Sequence, residues 1–141
     1  GLAAELGIGT RTRFFGFVDD DELVAAFRRA AVFVMPGIAE LQSIVTLEAM
    51  AAGTPVIAAN AMALPHLVRN GRNGWLFTPG DVGELGHRLA ALVADAELRR
   101  RMGAASREMV AGHALDATLT TFEGIYSDLL GRRRERHLRV A

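Results

Sequence analysis

The sequence predicts an α/β protein with a Rossmann-like parallel sheet covered by helices on both faces. Two apolar runs, residues 31–35 and 56–59, are too short for helices and are followed or preceded by proline, so each is predicted to be a buried strand. Segments with apolar residues at helical spacing lie between and after these runs. Because alternating strands and helices build parallel sheets, we expect ligands to bind at the carboxyl ends of the strands.

Composition limits the classes of function. The chain has 141 residues, half of them hydrophobic, and a formal net charge of zero, which predicts one domain over residues 1–141 and no nucleic-acid partner. It has no cysteine and four scattered histidines, so neither a disulfide framework nor a metal site is expected. No apolar run is long enough to span a bilayer, and this favours a cytoplasmic protein.

The first half of the chain is predicted to alternate between helix and strand. Residues 1–8 are typical of a helix end, and residues 13–18 of a short strand interrupted at Gly16. Three aspartates at 19–21 favour the start of a helix over residues 21–30, because acidic side chains cap free amides and match the helix dipole. After the strand at 31–35, Ser43 is predicted to be the N-cap of a helix that ends at Ala52.

The second half continues the same alternation. After the strand at 56–59 we predict a short helix over 64–69, a turn over 70–74 and a last strand over 75–77. Asp81 is predicted to cap the next helix, and two C-terminal helices follow over about 96–111 and 115–132.

Two glutamates eight residues apart mark the candidate site. Glu40 lies in the loop after the strand at 31–35, and Glu48 lies in the helix that begins after Ser43. The free N–H groups at the start of this helix, on residues 44–46, are suited to bind a phosphate. Glu48 is roughly 7 Å farther along the helix, a distance that suits the ribose of a nucleotide. Carboxylates accept paired hydrogen bonds from the vicinal hydroxyls of ribose and of sugars.

These motifs resemble a known family. Glu40 and Glu48, followed by Ala-Met-Ala-Ala-Gly-Thr-Pro-Val at 49–56, are similar to the C-terminal half of a retaining family 4 glycosyltransferase of GT-B fold, lacking its first strands. The resemblance extends over residues 7–126 and includes Phe-Gly-Phe-Val at 15–18, Asn-Gly at 73–74 and Pro-Gly-Asp at 79–81. It implies transfer of a hexose from a nucleotide diphosphate sugar, a UDP- or GDP-sugar, to an acceptor without a metal.

The resemblance also implies roles for individual residues. Glu48 would hold the ribose hydroxyls and Glu40, the candidate catalytic residue, the hydroxyls of the transferred sugar. The amides near Ser43 and Ile44 would hold the distal phosphate, with Gln42 beside them. The backbone of Gly16, Phe17 and Val18 would line the pocket of the base.

The chain departs from the family pattern at several positions. Leu41 and Ser43 stand where the family usually has glycines, Met62-Ala63 where it has a Gly-Gly pair, and His66 where an acidic residue is common. Ser43 still offers an amide and a hydroxyl to a phosphate. The glutamine at position 42, between these two departures, resembles the branch of the family that acts on diacylglycerol lipids. The sequence therefore does not identify the sugar, the base or the acceptor.

The chain also begins without methionine, and we expect it to be a piece of a longer protein. In the family, two further strand–helix units and an acceptor-binding domain precede this region, so the fragment alone is expected to be inactive. Without those units the predicted strand that begins at residue 13 would lack a neighbour, and this open edge of the sheet could pair with another copy to form a dimer. A basic run at residues 132–136 allows peripheral contact with a membrane, although a basic helix end more often only aids solubility.

Simpler interpretations and other functions remain open. Taken alone, Glu48 could be a solvated helix carboxylate, Glu40 a loop or capping carboxylate, and His66 a structural histidine. The alternative function is a non-catalytic nucleotide-binding fragment or pseudoenzyme that pairs with another chain. A third function keeps the fold but changes the reaction to epimerisation or phosphorolysis of a sugar donor.

Overall fold

The structure, a computed structural model, describes the backbone of residues 1–138 and the side chains of residues 1–131. Three strands are present, β1 (Phe33–Met35), β2 (Val56–Ala59) and β3 (Gly74–Phe77). The helices are α1 (Leu2–Glu5), α2 (Asp20–Arg29), α3 (Ile44–Ala51), α4 (Leu64–Leu67), α5 (Val82–Ala94), α6 (Ala96–Val110) and α7 (Leu115–Leu138). Two 3₁₀ turns, Gly9–Arg11 and Ala111–His113, complete the described elements.

The strands form one parallel sheet in the order β1-β2-β3, which confirms the predicted fold class. Val34 lies opposite Ile57, and Ile57 lies opposite Trp75. All four residues of β2 are buried, so the centre of the sheet is covered on both faces. The carboxyl ends of β1 and β2 lie side by side, and the loops that follow them form the edge at which a ligand was expected.

Helix α6 holds the end of α3 in place through close contact and buried hydrogen bonds. A β-carbon added to Gly103 of α6 would overlap the carbonyl oxygen of Gly53, which directly follows α3. The Ser106 hydroxyl, also on α6, donates to the carbonyl of Thr54 at 3.1 Å, and the Thr54 hydroxyl donates to the carbonyl of Phe27 at 2.8 Å. These contacts connect α6, α3 and α2, so the helix that carries Glu48 has a fixed position.

The prediction of a strand over residues 13–18 is wrong. This segment is an irregular chain, and Phe14, Phe15 and Phe17 are 85%, 60% and 100% exposed. A strand forms only where a neighbouring strand accepts its hydrogen bonds, and no described strand pairs with this segment. The aromatic residues of this segment favoured a strand, but the sequence of the segment could not show whether a partner strand is present.

Element ends differ from prediction by a few residues. Helix α2 begins at Asp20 because Asp19, as N-cap, accepts a hydrogen bond from the Glu22 amide at 2.8 Å. Asp81 caps α5 as predicted, accepting from the Glu84 amide at 2.8 Å. Helix α7 continues to Leu138, beyond the predicted end at 132. The side chains of the basic run at 132–136, on which the prediction of membrane contact rests, lie outside the described residues.

The described apolar side chains of helix α7 are exposed to solvent. Leu119, Phe122 and Ile125 are each at least half exposed, and Leu129 continues the same stripe. Within the described residues, no helix is both long enough and apolar enough to cross a bilayer.

Candidate functional site

The loop from β1 to α3 carries Glu40 as predicted, and it is fixed by its backbone. The Glu40 carbonyl accepts a hydrogen bond from the Ala63 amide at 3.0 Å, which joins this loop to the one that follows β2. The Glu40 side chain is half-buried and lies over Gly37, where an added β-carbon would be 3.5 Å from its Oε1 atom. The carboxylate therefore lies close to the end of β1, with part of its surface open.

Ser43 forms the turn into α3 in an unusual backbone conformation. Its φ and ψ are 52° and 58°, in the left-handed region, and within the described chain Met62 is the other non-glycine residue with positive φ. Both stand where the resembled family has glycine, a residue that adopts this conformation without steric cost. Ser43 is the N-cap by position, as predicted, but its side chain makes no capping hydrogen bond. Its hydroxyl lies 2.8 Å from the hydroxyl of Thr46 instead.

The start of α3 offers two free amides rather than the three that were expected. The Thr46 amide donates to the Ser43 carbonyl at 2.9 Å. The amides of Ile44 and Val45 have no acceptor among the described residues. These two N–H groups, at the positive end of the helix dipole, form an anion-binding feature.

Glu48 lies one turn beyond these amides. It follows Ile44 by four residues, so the two share a helix face, and both are exposed. The carboxylate lines a cavity of about 420 Å³ between α3 and α2, together with Leu23, Phe27 and Arg28. The cavity gives Glu48 an open, concave surrounding on the side of α3 that faces α2.

The segment predicted to line the base pocket borders a different cavity. Gly16 and Val18, with Arg13 and Arg29, line a space of about 660 Å³ on the opposite side of α2. Phe17 is fully exposed and does not take part in this lining. The two cavities share one residue, Leu23. The structure thus brings Glu40, Ser43, Ile44 and Glu48 to one edge of the sheet, and it does not bring Gly16, Phe17 and Val18 into the same cavity.

The remaining residues considered for the site are exposed. Gln42 is exposed in the loop before Ser43, and His66 is exposed on α4. No described group of three or more histidine or acidic side chains is arranged to hold a metal ion. Thr46 was not predicted as a site residue, although a serine followed three residues later by a threonine is the spacing at which two hydroxyls meet across a helical turn.

A third cavity, of about 460 Å³, lies against the other edge of the sheet between Trp75 and α5. The Arg88 guanidinium lies over the Trp75 ring at 5.5 Å and pairs with Glu84 at 3.3 Å. The hydrogen bond from the Thr78 amide, assisted by Arg88, holds the pKa of Glu84 below its usual value. This cluster stabilises the start of α5 and is separate from the two glutamates.

Comparison with known proteins identifies the family. The family model described as glycosyl transferases group 1 matches residues 1–109, which include every element of the site. The chain belongs to this family.

Related proteins agree with this assignment. The chain is 38% identical over 127 residues to D-inositol 3-phosphate glycosyltransferase of Corynebacterium efficiens, covering 90% of this chain and 30% of that protein. It is 40% identical over 107 residues to sulfoquinovosyl transferase SQD2 of Arabidopsis thaliana, covering 74% of this chain and 21% of that protein. It therefore spans less than a third of the length of these relatives.

Solved structures show the same fold. Sucrose-phosphate synthase from Thermosynechococcus elongatus superposes with a TM-score of 0.83 at 31% identity, over 93% of this chain and 33% of that one. Anabaena Alr3699/HepE in complex with UDP-glucose superposes with a TM-score of 0.76 at 27% identity, over 92% of this chain and 35% of that one. The fold is that of the Rossmann-like C-terminal half of GT-B glycosyltransferases.

Proposed function

We propose that this chain is the donor-binding part of a retaining family 4 glycosyltransferase, which transfers a hexose from a nucleotide diphosphate sugar to an acceptor. One observation carries the proposal. The two free amides at the start of α3 and the exposed carboxylate of Glu48, one turn beyond them, lie on the same helix in a member of this family. A phosphate on the amides would leave the ribose within reach of Glu48.

The mechanism follows from the direction of α3. Charge that develops on the departing diphosphate would be stabilised by the amides of Ile44 and Val45 and by the helix dipole, both fixed before the reaction begins. Glu40, held over Gly37 at the end of β1, would accept hydrogen bonds from hydroxyls of the hexose. The acceptor would attack from the face that the nucleotide leaves, with retention of configuration. No resident metal is part of the proposal.

The nucleotide is proposed to be UDP, because Alr3699/HepE was solved with UDP and with UDP-glucose. With its ribose on Glu48, the base would extend toward Leu23, the residue common to both cavities beside α2. Gly16 and Val18 line the cavity on the opposite side of α2, so they would contact the base only if it extended past Leu23. Leu23 is therefore a further contact for the base in this proposal.

Calorimetry with UDP and GDP tests the proposal on the 141-residue chain. Glu48→Gln keeps the shape of the side chain but weakens its acceptance of the two ribose hydrogen bonds, and it should lower UDP affinity about tenfold or more. Glu123→Gln changes an exposed carboxylate on α7 and should leave affinity unchanged. Equal affinity of the Glu48 and Glu123 variants would refute the role of Glu48, and absence of UDP binding by the unmodified chain would refute donor binding itself.

A non-catalytic nucleotide-binding protein is the second candidate, favoured by the exposed phenylalanines at 14, 15 and 17, which could pack on another chain. A dimer that buries these phenylalanines is part of that candidate. An assay of the full-length protein with UDP-glucose separates the two, since the donor-binding part of a transferase should support sugar transfer there, whereas a nucleotide-binding protein without activity should give neither transfer nor hydrolysis. Light scattering would show whether the chain dimerises.

A further inference from the structure

The conformation of Ser43 needs support from its surroundings. A left-handed backbone is unfavourable for any residue with a β-carbon, and it persists only where neighbouring groups hold it. Ser43 has φ 52° and lies at the point where the β1–α3 loop turns into the helix. Its side chain is 4% exposed, so the hydroxyl cannot be satisfied by solvent.

Thr46 supplies this support through two hydrogen bonds. Its amide donates to the Ser43 carbonyl at 2.9 Å, and its hydroxyl lies 2.8 Å from the Ser43 hydroxyl. Thr46 is itself fully buried. A hydrogen bond between two buried hydroxyls is strong, and removal of one partner leaves the other unsatisfied.

The same turn determines where the free amides point. A left-handed residue followed by right-handed helical residues arranges successive N–H groups around a concavity that suits an anion. Ser43 is the left-handed residue, and Ile44 and Val45 are the first helical residues after it. If Ser43 left this conformation, the Ile44 amide would be the first to lose its direction.

We propose that Thr46 is a positioning residue for phosphate binding: its hydroxyl holds Ser43 in the left-handed conformation and so orients the amides of Ile44 and Val45. Because the Ser43 hydroxyl is buried and paired with Thr46, the proposal assigns it to the turn and not to the phosphate. This inference rests on the proposed donor binding and assigns the diphosphate to backbone amides alone at this turn.

Four variants of the 141-residue chain, titrated with UDP, test the inference. Thr46→Val keeps the shape of the side chain but leaves the Ser43 hydroxyl without a hydrogen-bond partner, and it should weaken UDP binding about tenfold. Thr46→Ser keeps a hydroxyl and should bind within about twofold of the unmodified chain. Ser43→Gly adopts the turn without help and should also stay within about twofold. In the Ser43→Gly, Thr46→Val double variant, the effect of valine should disappear.

The double variant decides the outcome. Equal weakening by Thr46→Val in the serine and glycine backgrounds would show that Thr46 acts by packing alone and would overturn the inference, as would unchanged binding by Thr46→Val. If Thr46→Val alone does not fold, the double variant must recover both fold and UDP binding, and failure to recover them counts against the inference.

Thermal unfolding without nucleotide separates this inference from the proposed function. Ser43→Gly should raise the unfolding temperature more in the Thr46→Val background than in the unmodified chain, because only there is a stranded hydroxyl removed. Additive changes would refute the role of the hydroxyl pair even if UDP binds. Absence of UDP binding together with a positive coupling would refute donor binding and leave the hydroxyl pair as a structural feature of the turn.

Discussion

The contact between α6 and the end of α3 can be tested by adding one methyl group. Gly103→Ala places a β-carbon against the carbonyl oxygen of Gly53, and 3.1 Å from its carbonyl carbon. Both atoms belong to the backbone, so they cannot rotate away. Helix α6 must move by about 1 Å, and overpacking of this kind costs about 2 kcal/mol.

The same movement would lengthen the hydrogen bond from Ser106 to the carbonyl of Thr54, now 3.1 Å, at a cost of about 1 kcal/mol. Alanine returns about 1 kcal/mol through its higher helix propensity. The net expectation is a loss of about 2 kcal/mol in the free energy of unfolding, or a Tm lower by about 7 °C.

Gly86→Ala is the matched control. Gly86 lies within α5, is exposed, and has no atom within 4 Å of an added β-carbon. Helix propensity alone should therefore raise stability by about 0.5–1 kcal/mol. Thermal and urea unfolding of both variants measure the difference. A Gly103→Ala protein as stable as the Gly86→Ala protein would refute the close packing of α6 on Gly53.

Two further predictions concern strain and pH. Met62→Gly should raise stability by about 1 kcal/mol, because Met62 is exposed at φ 50°, whereas Met62→Ala keeps the strain and should not; urea unfolding of the pair tests this. The hydrogen bond donated by the Thr78 amide lowers the pKa of the Glu84 carboxyl below its usual value of 4.5. Glu84 thus adds stability above that pH, and this stability is lost as pH falls through the lowered pKa. Glu84→Gln should therefore show a smaller drop in Tm on acidification below about pH 4.5, and an unchanged drop would contradict the assignment.

Much of the fold could be predicted from sequence because its strong signals are local. The run at 56–59 became β2 without change, and Asp19 and Asp81 each cap a helix by accepting a hydrogen bond from the amide three residues on. Apolar runs and caps depend on few neighbours, so a single sequence carries them. Residues 13–18 depend on a pairing partner, and their aromatic pattern alone gave a wrong strand.

The site was predictable in its parts and less so in its geometry. Sequence spacing placed Glu40, Ser43, Ile44 and Glu48 at one edge of the sheet, where the structure also has them. It could not show that Ser43 is left-handed, since the backbone conformation of a residue with a β-carbon at a turn depends on the surrounding tertiary contacts. Nor could it show that α2 separates the cavity of Gly16 from that of Glu48, because such separation depends on tertiary packing.

An NMR titration of the ¹⁵N-labelled chain with UDP tests the central claim most directly, because it reports each amide separately. Donor binding at the start of α3 predicts that the amides of Ile44 and Val45 shift most, with smaller shifts at Glu48 and Leu23. Shifts confined to other surfaces, such as the cavity beside Trp75 and α5, or no shift at millimolar UDP, would contradict it.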